Sequence, residues 1–116
     1  MTNQNLELIR GDDTFYYLTF TDENDQAINI TGWKIYFTAK TNVTDTDENA
    51  VIKKDVIDPH EDPLHGIGVI HLTTTETSVA IGKYFYDIQI KKSTGEIFTL
   101  LAGELRVNQD ITTRTT

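Results

Sequence analysis

The chain has 116 residues, no cysteine and a formal net charge of -8, with a pI near 4.6. That length suits one domain burying roughly two thirds of its unfolded surface, and the missing thiols exclude disulfides, thiolate metal sites and cysteine nucleophiles. The acidic balance opposes nucleic acid as a partner, because a phosphate backbone is held by clustered Lys and Arg.

Taken in chain order, the sequence is dominated by period-2 apolar patterns. The opening "MTNQNLELIRGDD" has neither a basic n-region nor an apolar h-region, and no apolar run approaches the roughly 20 residues of a membrane span; no membrane partner and folding in the cytoplasm are expected. Asn5 to Ile9 reads as a short first strand with Leu6 and Leu8 on one face. Thr14 to Thr21 sets Tyr16, Leu18 and Phe20 on one face and is rich in the aromatic and β-branched residues that strands prefer. After the polar turn "TDENDQAIN", the stretch "WKIYFTAK" alternates Trp33, Ile35, Phe37 and Ala39 with Lys34, Tyr36, Thr38 and Lys40, as a strand with one buried face does. "TNVTDTDENA" is an acidic loop, and "VIKKDVI" a shorter strand whose two lysines suit a sheet edge. "DPHEDPLHG" holds both prolines and reads as loop, "IGVIHLT" as strand, and Thr75 to Ala80 as the one place for a helical turn.

The stretch "GKYFYDIQIKKSTGEIFTLLAGELRV" predicts a long hairpin. A three-residue loop Ser93-Thr94-Gly95, with Gly95 left-handed, sets Lys92 opposite Glu96, Ile90 opposite Phe98, Ile88 opposite Leu100 and Tyr86 opposite Ala102. That register sends Leu105 and Val107 outward unless a bulge intervenes, and Gly103 is the natural place for it. A two- or four-residue loop without a bulge is the alternative. Either register leaves an apolar group on the outer face: Phe85 with Ile97 and Leu101, or Phe85 with Phe98 and Leu100. Phe85, Ile97 and Leu101 are therefore the candidate partner surface.

With turn signals every 8 to 12 residues or so, about seven strands predict an all-β, immunoglobulin-like β-sandwich of antiparallel strands. An up-and-down barrel is the other architecture. The expected organisation is one domain over residues 1–116, with an ordered core at about 5–108 and a polar tail over 109–116.

Catalytic candidates are few. Ser78 and Ser93 sit in turn-like stretches and neither lies in G-x-S-x-G. His60, His65 and His71 lack metal-ligand spacing and read as solvated loop histidines, with His71 on a strand. Three acidic groups (Asp22, Glu23 and Asp25; Asp45, Asp47 and Glu48; Asp58, Glu61 and Asp62) are solvated turn acids in the plain reading and oxygen ligands for calcium in the other; "DTDEN" lacks the Gly and Glu of an EF-hand loop. Arg10-Gly11-Asp12 spells the tripeptide that integrins recognise and reads as a chance match, and the sequons at Asn29 and Asn42 read as turn and strand chemistry. Trp33, on the buried-looking face, reads as core, and paired carboxylates have no cleft to serve. No enzyme activity and no cofactor are expected.

"IRGDDT", "DQAINITGW" at 25–33, "GKYFYDIQI" at 82–90 and "TLLAGELRVNQDIT" at 99–112 follow one another in an order and spacing that resembles the N-terminal domain of phage baseplate upper proteins and related small phage tail proteins. The likeness runs from about Leu8 to Thr112 and departs at Asn24 to Ala27, where the family has Gly and Pro in its turn. The resemblance implies an immunoglobulin-like sandwich that docks other virion structural proteins without catalysis, located in the virion tail after synthesis in the host bacterial cytoplasm. Homo-oligomerisation is an expectation from virion symmetry. A carbohydrate-binding or adhesive module and a calcium-dependent immunoglobulin-like repeat are the alternatives.

Overall fold

Alternation decides which way each strand faces. In a computed structural model describing residues 2–57 and 60–112, the chain forms β1 (Thr2–Asn3), β2 (Leu6–Ile9), β3 (Thr14–Thr19), β4 (Lys34–Lys40), β5 (Ile52–Val56), β6 (Ile67–Leu72), β7 (Gly82–Lys91) and β8 (Ile97–Asn108). Ile35, Phe37 and Ala39 of β4 are fully buried, as are Tyr84, Tyr86, Ile88 and Ile90 of β7 apart from a few per cent. The residues between them face the other way. The expected burial of Trp33 and its alternating partners is therefore met, and β5 with its two lysines does lie at a sheet edge.

The strands make a curled mixed sheet of order β1-β8-β7-β4-β5, with β2 also on β8, and a second sheet of β3 and β6. The fold is all-β with short 3-10 turns at Asp47–Asn49 and Pro63–His65, while the helical turn expected at Thr75 to Ala80 is reduced to hydrogen-bonded turns such as Thr77 N to Thr73 O at 3.0 Å. Within the large sheet β8-β7-β4-β5 are antiparallel, but β1 and β2 run parallel to β8. This differs from the all-antiparallel expectation of about seven strands. Period-2 alternation reports which face is buried and carries no record of the direction of the neighbouring strand.

One apolar core joins the two sheets. Ile70 and Leu72 of β6, with Tyr16 and Leu18 of β3, pack on Ile35, Phe37, Ile88, Leu105 and Val107 of the large sheet. The Phe37 ring is stacked between Tyr16 and Tyr86, with centroids 6.0 and 5.7 Å away. Each tyrosine hydroxyl then donates to a carbonyl near the N-terminus, Tyr16 to Glu7 at 3.1 Å and Tyr86 to Gln4. Phe20 meets Trp33 edge-on at 5.4 Å and closes the core below.

The β7–β8 hairpin keeps the expected loop. Lys92 N donates to Glu96 O at 2.8 Å, Gly95 N donates to Lys92 O at 2.9 Å, and Gly95 has φ of 97°. The bulge is elsewhere: Gln89 pairs with Thr99 while Ile88 pairs with Leu101, so Leu100 is the extra residue. Tyr86 therefore faces Gly103 rather than Ala102, and Ile88 faces Leu101 rather than Leu100. Leu105 and Val107 return to the core as the bulge requires. Gly103 serves a different need, because a Cβ there would collide with the Gln4 carbonyl where the chain crosses between β1 and β2. Gln4 N donates to Ala102 O at 3.0 Å and Glu104 N donates to the Asn5 side chain at 3.1 Å, which bridges the break between the two short strands.

Gly103→Ala is expected to lower stability by about 1–3 kcal/mol, the usual cost of forcing an extra methyl group into packed structure. Urea unfolding measures it, and the loss should be accompanied by faster hydrogen exchange at the β2–β8 ladder.

Candidate functional site

The two faces of the large sheet have different fates. Its inner face is covered by β3 and β6, whereas the outward set of β5, β4, β7 and β8 lines a groove of about 600 Å³. Register places the side chains in rows across the strands: Lys53, Thr38, Asp87 and Ala102 in one, and Asp55, Tyr36, Gln89 and Thr99 in the next. Lys40 and Phe85 stand above them, Lys91 and Ile97 below. The acidic loop after β4 forms a rim, since Lys40 Nζ donates to Asp45 O at 2.8 Å and pairs with Asp47 at 2.8 Å. That ion pair holds the exposed Asp47 carboxyl below its ordinary range, mainly through the hydrogen bond from Lys40.

Phe85 and Ile97 both lie in the groove, 36% and 56% exposed. Leu101 does not. Opposite Ile88, it points to the inner face and packs on the core, as Leu100 does. The bulge at Leu100 changes the phase three residues before the expected place, which turns Leu101 inward and leaves Ala102 on the outer face. Phe98, opposite Ile90, is on the inner side but lies where the sheet runs out, 45% exposed with the Lys92 ammonium 5.1 Å from its ring.

The other sequence candidates are dispersed. His60 is 6% exposed rather than solvated, and its Nε2–H donates to the Trp33 carbonyl at 2.7 Å. His65 binds Asp62 at 3.0 Å, and His71 binds Asp13 at 2.9 Å while stacking on Phe15 at 4.3 Å. Asp22 accepts the amides of Asn24 and Gln26 at 2.8 and 3.0 Å, so this carboxylate builds its own turn. Asn29 does the same for Thr31 at 3.0 Å, and Ser78 Oγ donates to Thr74 O at 2.6 Å. Asp58 lies outside the described residues, among which no group of three or more His, Asp or Glu is placed to hold a metal ion.

Tyr36, Asp87 and Gln89 were legible as outward residues of their strands, yet nothing in the sequence announced that they share a groove. Only the pairing of β4 with β7 brings them together. Asp87 is half-buried at its centre, and burial holds its carboxyl above the ordinary range; nearby Lys40 opposes that shift and Asp47 adds to it. Glu76, beside the β5 edge, shows the opposite balance: burial raises it, but hydrogen bonds from Thr73 and from Lys54 at 3.0 Å outweigh this and leave it lowered.

These two carboxylates contribute to stability with opposite sign. Because Asp87 has a raised folded value, its contribution is fully present below the unfolded value and is lost as pH rises through the folded one. Asp87→Asn should therefore melt above the parent at neutral pH, with the difference vanishing in acid below the carboxylate range. Because Glu76 is lowered, its contribution is present above the unfolded value and is lost as pH falls through the folded one, so Glu76→Gln should melt below the parent at neutral pH and match it in acid. Melting curves across pH check both.

No protein-family model matches the sequence and no curated protein matches it, so the groove geometry and the sequence resemblance carry the functional reading.

Proposed function

We propose that this chain is a non-enzymatic structural protein of a bacteriophage or prophage particle, a tail or baseplate assembly module that docks other virion proteins. The observation that carries the reading is the groove on the open face of the large sheet, where Phe85 and Ile97 remain exposed among charged side chains. Apolar anchors ringed by polar groups are what a docking surface needs. In this reading the large mixed sheet and the β3–β6 sheet are the two layers of an immunoglobulin-like β-sandwich. The stretches that carry the phage resemblance support it: "GKYFYDIQI" lies in β7, and "TLLAGELRVNQDIT" runs from Thr99 in β8 to Thr112.

A second reading, a carbohydrate-binding or adhesive module, is favoured by one feature of the same groove. The Tyr36 and Phe85 rings stand beside Asp87 and Gln89, a combination of apolar platform and hydrogen-bonding groups that suits a sugar.

The protein is expected among the components of particles purified from the strain that carries it, by mass spectrometry of gradient fractions, and its absence there overturns the assembly reading. Phe85→Asp should reduce its incorporation at unchanged melting temperature. Binding of cell-wall glycans, seen as NMR shifts confined to Tyr36 and Phe85, would instead favour the second reading.

A further inference from the structure

The large sheet ends on a strand whose sequence is close to its own mirror image. Among the described residues β5 pairs with β4 alone, so its other side is an open edge of the sheet. With one flanking residue at each end it reads Val51-Ile52-Lys53-Lys54-Asp55-Val56-Ile57. Ile52, Lys54 and Val56 face the core layer, while Lys53 and Asp55 stand exposed on the outer face. Ile57, just past the strand, is 59% exposed.

An open edge is a template for a further strand, and charged side chains on it discourage most partners. Here the same charges select one. Directly opposed residues of an antiparallel pair point to the same side of the sheet, so a second β5 whose core layer lies on the same side pairs even positions with even and odd with odd. A register centred on Lys53 sets Lys53 against Lys53, and one centred on Asp55 sets Asp55 against Asp55. The register centred on Lys54 uses the whole strand. It sets Lys53 opposite Asp55 twice on the outer face, Ile52 opposite Val56 twice on the inner face, and Val51 opposite the exposed Ile57 at both ends. Lys54 meets its own copy at the centre, where each ammonium is already bound to its own Glu76 at 3.0 Å. The central pair is thus two ion pairs side by side rather than two bare charges.

We infer that two copies of this chain join edge to edge, β5 antiparallel to β5 about a twofold axis through Lys54. The occupant of the edge is a second copy because the charge pattern of the strand is its own complement. The contact is isologous and closes at two. It leaves the outer face uncovered: both grooves lie on the same side of the joined sheet and meet at a seam formed by the two Lys53–Asp55 pairs. So short a ladder buries less than the roughly 800 Å² per partner of a standard interface, and the dimer therefore depends on concentration. This contact goes beyond the assembly reading and does not depend on it.

Sedimentation from micromolar to millimolar concentration at low salt should show the 13.2 kDa monomer giving way to a dimer and nothing larger. Lys53→Glu puts a carboxylate opposite Asp55 of the second copy, and Asp55→Lys puts an ammonium opposite its Lys53. Each variant alone should stay monomeric with a parent-like melting temperature, since both side chains are exposed. Mixed in equal amounts, the two variants set opposite charges against each other at every outer position and should dimerise again. Amide hydrogen exchange along residues 52–56 should slow with concentration in the parent and in the mixture, but in neither variant by itself. A parent that stays monomeric at millimolar concentration, a dimer that survives either single variant, or a mixture that fails to pair overturns the edge contact. Presence or absence of the protein in purified particles decides the assembly reading separately, whichever way the dimer falls.

Discussion

Phe37 is the element on which the two layers depend. Its ring has no exposure and is held between Tyr16 of one sheet and Tyr86 of the other, so the stack crosses the core from layer to layer. Both tyrosines then extend past it to carbonyls of the N-terminal segment. Burial, with the neighbouring Tyr86 adding to it, pushes the Tyr16 hydroxyl up to about 12, and burial raises Tyr86 as well. Both phenols keep their protons across any ordinary pH and remain donors. Truncating Phe37 would thus remove a large apolar contact and loosen two hydrogen bonds that fix a distant strand.

That arrangement explains why the other side of the sheet is open. All the large apolar side chains of β4 and β7 except Phe85 and Tyr36 are spent on the core, and the ribbon of β3 and β6 covers only their side of the sheet. The outer face inherits the polar half of the alternation, which is where lysines collect, while the acids collect in the turns at the ribbon ends.

The strands were legible wherever one face is buried: the inward sets of β4 and β7 and the three-residue hairpin loop follow from alternation and from Gly95 alone. The position of the bulge was not. Gly103 offers the backbone freedom a bulge can use, but its missing side chain is taken up by the Gln4 carbonyl, a contact between residues almost a full chain length apart. Since Leu101 turns inward through that difference, one third of the expected partner surface moved into the core, while Phe85 and Ile97 stayed out. His60 escaped sequence reasoning for a similar reason, because a polar loop with two prolines gives no sign that it will fold back to the Trp33 backbone.

The parallel clasp of β2 on β8 has a consequence for the order in which the protein is made. Residues 6–9 leave the ribosome long before residues 105–108, the strand segment they pair with. Until those emerge, the nascent β2 has no strand to pair with, and the tyrosine hydroxyl from residue 86 has yet to be made. Completion of the large sheet must therefore wait until residues 105–108 have emerged, and the closure of so long a loop makes it slow. A strand left waiting in this way is exposed to wrong partners, and the brevity of β2, four residues that include Glu7, limits how well it can pair with any of them.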